Sequence, residues 1–155
     1  MRIQQILSDD EKQRLTRQIL EALPEWFGIP ESREEYVSGS VGKLCFAAYD
    51  GQRPIGFLYL KETGKDTAEL AAMGVRKEYH RNGVGGALFE AARKAACEKG
   101  YSFLQVKTVQ MGRYEAYDRT NRFYLALGFK EFEVFPTLWD EWNPCQVYVM
   151  ALSGE

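Results

Sequence analysis

Gly83, Gly85 and Gly86 crowd one short run, His80-Arg81-Asn82-Gly83-Val84-Gly85-Gly86-Ala87, between a β-rich stretch and a helical one. Glycine has no Cβ, so a ligand can come close to the backbone there. A helix opening at Val84 presents free N–H groups and a partial positive charge, which together favour phosphate. The run is a candidate diphosphate cradle; a tight strand-to-helix turn with no ligand uses the same residues. Two nucleotide motifs fail against it. The dinucleotide fingerprint needs a glycine where Leu88 stands, and no Gly-Lys-Ser/Thr closes a phosphate loop. Ester or peptide hydrolysis by a Ser–His–Asp set is also disfavoured, because His80 is the one histidine and no Gly-x-Ser-x-Gly is present. One histidine and three cysteines (Cys45, Cys97, Cys145) without a C-x-x-C pair make a metal site unexpected.

The elements that must position this turn can be read from periodicity. Thr67 to Arg76 reads as a strand. Val84, Ala87, Leu88, Ala91, Ala92, Ala95 and Ala96 recur at helical spacing, predicting a helix over Val84 to Lys99 with Gly100 as its C-cap. Tyr101 to Val106 is a second strand, and a right-handed crossover sets it parallel to the first. Upstream, Arg2 to Leu7 is a strand, and Ser8 with Glu11 forms a capping box for a helix that Pro24 ends. Trp26 and Phe27 follow in a loop, either as a lid on the core or as a pocket wall. Ser32 to Glu35 reads as a second capping box, opening a two-turn helix through Val37. Leu44 to Tyr49 and Ile55 to Leu60 form a hairpin at Asp50-Gly51, and Thr63 to Asp66 makes the next turn.

Downstream, Tyr114 to Leu127 is a helix with Gly128 as cap. Tyr117, Thr120, Tyr124 and Leu127 share one face, and Asn121 lies on another. Phe129 to Phe135 and Gln146 to Leu152 are strands. Between them, Trp139, Asp140, Glu141 and Trp142 make a loop that reads as a pocket wall or a dimer contact; the carboxylates suit a cationic amine or simply face solvent.

At 155 residues the chain is expected to form one domain, residues 1–155. A net charge of -2 argues against nucleic acid as the main partner. No run is long and apolar enough to span a membrane and no signal-peptide core is visible, so a cytoplasmic protein is expected.

The glycine run resembles the coenzyme A-binding motif of the GNAT superfamily of N-acetyltransferases, Gln/Arg-x-x-Gly-x-Gly/Ala after a strand ending in valine. Here it is His80 to Gly85 after Val75, with His80 in place of Gln or Arg. Phe123, Tyr124, Gly128 and Phe129 match a second signature, Phe-Tyr-x-x-x-Gly-Phe, while Tyr117 stands where relatives often carry asparagine. The likeness covers roughly Thr67 to Phe135.

It implies an α/β (α+β) fold: a mixed, mostly antiparallel central sheet of about six to seven strands, about four helices, and a splayed parallel pair that binds coenzyme A. It implies acetyl-CoA as co-substrate, against Met73, Val75, His80, Arg81, Asn82, Gly83, Val84, Gly85, Gly86, Ala87, Tyr117 and Tyr124. The acceptor would be a primary amine of a small molecule or peptide, walled by Trp26, Phe27 and Trp139, and relatives are often homodimers. The Val75 backbone N–H would stabilise the oxyanion and Tyr124 would act as general acid. The relatives' glutamate base falls at Ala71, which leaves Glu69 as a weak candidate, or equally a solvated or paired strand carboxylate. The alternative is an acyl-CoA-binding sensor on the same fold; Ala71 and Tyr117 keep that reading open and Tyr124 argues against it.

Overall fold

The computed structural model describes residues 1–153. Strand β1 (Arg2–Ile6) leads into helix α1 (Asp9–Glu21). Ser8 caps α1 as its spacing predicts: its hydroxyl accepts from the Glu11 backbone N–H at 3.3 Å. Asp9, Asp10 and Glu11 then place negative charge at the positive end of the helix.

Helix α2 (Pro30–Gly39) departs from expectation. It starts at Pro30, with Ile29 as a cap that makes no side-chain bond, so Ser32 lies inside the first turn. Proline's fixed φ and missing N–H suit the first helical position, and that outweighs the capping box read at Ser32.

Strands β2 (Leu44–Asp50), β3 (Arg53–Gly64) and β4 (Thr67–Val75) follow, then a single 3-10 turn (Lys77–Tyr79) and helix α3 (Val84–Glu98). Strand β5 (Phe103–Val109), helix α4 (Glu115–Leu127), β6 (Lys130–Phe135) and β7 (Cys145–Ala151) complete the chain. Among the described residues the sheet has seven strands in the order β1-β2-β3-β4-β5-β7-β6. This is the mixed, mostly antiparallel sheet that was expected. Strand β3 runs on to Gly64, so only Lys65 and Asp66 turn the chain back. Strand β5 begins two residues later than predicted, because the N–H groups of Ser102 and Phe103 both bond the Asp66 carbonyl and shape the entry. Gly100 (φ 86°) and Gly128 (φ 105°) are left-handed and close α3 and α4, as glycine alone does without strain.

Two compact units divide the chain. The first, Met1–Lys61 with Leu70–Ala96, has β1, β2 and β3 antiparallel over a core that includes Leu15, Ile19, Leu20, Cys45, Phe57 and Tyr59. In the second, Glu62–Glu69 with Cys97–Glu155, β4 pairs in parallel with β5 at Thr67–Phe103, Ala68–Leu104 and Glu69–Gln105. Strand β7 pairs antiparallel with β5 along its length, and β6 pairs with β7 across an irregularity between Glu131 and Glu133.

Asn121 corrects the expected helix face. It is the most buried residue of α4, fully enclosed, whereas Tyr117, Thr120 and Leu127 are half-buried. Its amide donates to the Val109 carbonyl at 2.8 Å and the Tyr117 carbonyl at 2.7 Å, and its Oδ1 accepts from the Tyr148 hydroxyl at 2.6 Å. A polar side chain can sit inward because its partners come with it.

Burial also suppresses several ionisations. It pushes the Cys45 thiol up to about 12, and raises Tyr59, Cys145 and Tyr148. In the unfolded chain thiols titrate near about 8.5 and tyrosines near about 10. A raised folded-state pKa gives stability that is complete below the unfolded value and is lost as pH rises through the folded one. The melting temperature is therefore expected to fall steeply above about pH 10. Melting curves across that range check this, and an unchanged midpoint at about pH 11 would contradict it.

Candidate functional site

In the first unit, β4 ends at Val75 and the chain turns through Lys77–Tyr79 into α3. Two side chains hold this corner. Arg76 is only 8% exposed; its Nε donates to the Pro54 carbonyl and its backbone N–H to the Ile55 carbonyl, both at 2.8 Å. His80 Nε2 lies 2.7 Å from the Val75 carbonyl oxygen. A carbonyl only accepts, so that nitrogen carries the proton. The His80 ring meets Trp26 edge-on at 5.9 Å. His80 thus fastens the turn to the end of the strand, a role that sequence reasoning missed, as it missed the Arg76 anchor. Both depend on tertiary partners that leave no local pattern.

The turn is wound tightly. Arg81 (φ 68°) is the one non-glycine residue in the left-handed region among the described residues, and Gly83 (φ 78°) shares that conformation. The first helical bond runs from the Ala87 N–H to the Gly83 carbonyl at 3.0 Å. The N–H groups of Val84, Gly85 and Gly86 precede it and are not used by the helix. Val84 is buried and anchors the helix, while Arg81, Asn82 and Gly83 are exposed and Gly85, Gly86 and Ala87 half-buried. A Cβ added at Gly83 or Gly86 would meet nothing within 4 Å, so open space faces the turn. Chemically, a turn of this kind offers backbone donors that suit an anion. Met73 and Val75 are half-buried on the strand that leads into it.

The same unit holds a cavity of about 420 Å³ between α2, β3 and β4. Glu35, Tyr36, Lys43, Tyr59, Lys61 and Ala71 help to line it; of these, the sequence singled out Ala71 for its chemistry and Glu35 only as part of a helix cap. Trp26 and Phe27 are not among its lining residues. They are half-buried against the core, with the Phe27 ring 5.5 Å from Tyr36.

In the second unit, Tyr124 is 8% exposed, its ring within 5.7 Å of Phe123, 5.9 Å of Phe129 and 6.2 Å of Tyr148. Tyr117 is half-buried beside Tyr114. Glu69 is buried, with Oε1 2.9 Å from Lys107 Nζ, so its carboxylate is an ion-paired one. Trp139 and Trp142 are exposed. Asp140 turns their loop: its carboxylate accepts from Asn143 Nδ2 at 3.0 Å and from the Trp142 and Asn143 N–H groups at 2.9 and 2.8 Å. The Asn143 side chain, ahead of those backbone donors, holds the Asp140 carboxyl below the usual range. Phe103, Phe132, Phe135, Leu138, Val147 and Val149 surround an apolar recess of about 520 Å³ in this unit.

Among the described residues, no three of His, Cys, Asp and Glu gather to hold a metal ion, and no helix is long and apolar enough to cross a membrane.

Comparison with solved structures places this architecture. A protein from Desulfovibrio desulfuricans described as a GNAT-family acetyltransferase is 18% identical, with a TM-score of 0.83 over 98% of this chain and 99% of its own. An aminoglycoside 6'-N-acetyltransferase complexed with coenzyme A is 18% identical, with a TM-score of 0.81 over 100% of this chain and 99% of its own. The ribosomal-protein-S18-alanine N-acetyltransferase of Escherichia coli is 19% identical, with a TM-score of 0.75 over 98% of this chain and 94% of its own. At such identities the likeness is one of fold. No curated protein matches the chain by sequence. Residues 42–131, more than half of the 155, match the family model of the acetyltransferase (GNAT) domain. The strand order, the glycine turn at the start of α3 and this match agree: the chain belongs to the GNAT acetyltransferase family.

Proposed function

We propose that the protein transfers an acetyl group from acetyl-CoA to a primary amine, by direct attack of the amine on the thioester. The observation that carries this reading is the turn at Gly83–Gly86, whose first N–H groups lie outside the helix ladder and where a Cβ at Gly83 or Gly86 would meet only open space. Those donors, with Arg81, Asn82 and His80 around them, would receive the diphosphate. The stretch of β4 through Met73 to Val75 is assigned to offer main-chain groups to the amides of pantetheine. The family match supports acetyl-CoA as co-substrate, and coenzyme A is bound by the aminoglycoside acetyltransferase of similar fold.

In the step itself the amine nitrogen bonds to the thioester carbon, and the C–S bond then breaks. The Val75 N–H is assigned to the oxyanion, a donor fixed before reaction begins. Tyr124 is assigned as the acid that protonates the departing sulfur. Tyr117 is assigned to the coenzyme, and Trp26 and Phe27 to the backing of the acceptor's wall, Phe27 through its ring contact with the cavity-lining Tyr36. The amine must also lose a proton; at about pH 7 a lysine-like amine needs roughly 4.6 kcal/mol to do so. Glu69 is the carboxylate assigned to this task, acting from its pair with Lys107. That pairing and the methyl side chain at Ala71 are the observations that favour the second reading, an acyl-CoA sensor with little turnover.

The test is coenzyme thiol release from acetyl-CoA with a panel of primary amines. Turnover is expected to rise about tenfold per pH unit between about pH 7 and 9, as the free-amine fraction grows. Tight acetyl-CoA binding with no thiol release for any amine would favour the sensor.

A further inference from the structure

The cavity between α2, β3 and β4 carries charge that the ion pairs of the fold leave unused. Lys43, Lys61 and Glu35 line it. Among the described residues the seven ion pairs are Lys12–Asp9, Arg14–Glu11, Arg17–Glu34, Arg53–Glu78, Lys77–Glu25, Arg93–Glu90 and Lys107–Glu69, and none includes these three groups. Lys43 Nζ reaches only the Val41 carbonyl, at 3.5 Å. Two ammonium groups against one carboxylate leave the cavity net positive, in a chain whose formal charge is -2. Its floor is fixed. The Tyr59 hydroxyl donates to the Tyr36 carbonyl at 2.8 Å, tying β3 to α2, and burial keeps that phenol protonated. Ala71 contributes only a methyl group, so no carboxylate from β4 opposes the lysines there.

We infer that this cavity selects the acceptor, and that the acceptor is a small primary amine bearing one anionic group, a carboxylate or a phosphate, received by Lys43 and Lys61. The inference rests on the transferase reading and deepens it. A volume of about 420 Å³ lies within the range of small-molecule sites. Glu35 limits the surplus to a single positive charge, which suits one anionic group and opposes none of the amine end. Ala71 and Val75 are four residues apart on β4, about 13 Å at the rise of a strand. A lysine side chain and a six-carbon amine together span that distance. A polycationic acceptor would meet two ammonium groups and is disfavoured.

The experiment is calorimetric titration of the coenzyme A-loaded protein with four probes of one length: aminohexanoic acid, aminohexyl phosphate, hexylamine and diaminohexane. At least one anionic probe is expected to bind about tenfold or more tighter than hexylamine, and diaminohexane most weakly. The stronger of the two anionic probes separates carboxylate from phosphate. The preference should weaken with added salt. It should vanish in the Lys43→Gln/Lys61→Gln variant and reverse toward diaminohexane in Lys43→Glu/Lys61→Glu; Lys61 is exposed and Lys43 half-buried, so the fold should survive both. Equal or weaker binding of the anionic probes, binding of no probe, or a preference that outlives the charge reversal overturns the inference. Coenzyme A is titrated first. Failure at that step removes the transferase reading itself, whereas coenzyme A binding without an anionic preference removes this inference alone.

Discussion

Tyr124→Phe is expected to fold normally and to lose about 10²–10⁴-fold in kcat, with little change in KM. The phenylalanine ring keeps the contacts that Tyr124 makes with Phe123, Phe129 and Tyr148. What disappears is one hydroxyl, and with it the proton assigned to the departing sulfur. A coenzyme thiol that behaves like cysteine has a pKa of about 8.5 and a phenol about 10. Full transfer therefore costs about 2 kcal/mol in isolation, small enough to be met as charge builds on sulfur. Thiol release and melting curves on both proteins separate the two roles. A loss below about fivefold with an intact fold would assign Tyr124 to packing alone.

Asn121→Ala is expected to be the most damaging single change to stability outside the apolar core. The substitution leaves the Val109 carbonyl and the Tyr148 hydroxyl without their partner, in surroundings where these residues are 6% and 1% exposed. Each buried polar group left unmatched costs about 1–3 kcal/mol. The expected loss is about 2–5 kcal/mol, a large part of the about 5–15 kcal/mol typical of a domain. Denaturant unfolding measures it directly. A loss under about 1 kcal/mol would mean that water replaces the amide, and that Asn121 does not join α4 to β5 and β7.

The contrast between Tyr124 and Asn121 shows what the sequence could carry. Periodicity located α3 and α4, and glycine chemistry located their ends at Gly100 and Gly128, because those signals are local. The hairpin at Asp50-Gly51 and the parallel crossover were legible for the same reason. Asn121 was read as facing elsewhere because a polar residue gives no inward signal until Val109 and Tyr148, distant in sequence, supply its bonds. Helix α2 shows two local signals in competition, with Pro30 prevailing over the capping box at Ser32. At the candidate site, the glycines announced the tight turn into α3, but the His80 bond to Val75 did not show in the spacing. The lysines beside Ala71 were invisible for another reason. Lys43 and Lys61 are ordinary surface charges in the sequence, and only the packing of α2 over β3 and β4 makes them neighbours of one cavity.

The most direct test of the whole account is titration of acetyl-CoA into wild type and Gly86→Glu. A Cβ at Gly86 meets nothing within 4 Å, and glutamate is a better helix former than glycine by several tenths of a kcal/mol, so the variant should be at least as stable. It also sets a carboxylate against the proposed diphosphate, a like-charge contact of about 4 kcal/mol at close range near a protein surface. The account predicts acetyl-CoA binding by wild type and a loss of about 10²-fold or more in a fully folded Gly86→Glu. Equal binding by the two proteins would take the diphosphate away from this turn, and no binding by folded wild type would contradict the acetyl-transfer reading altogether.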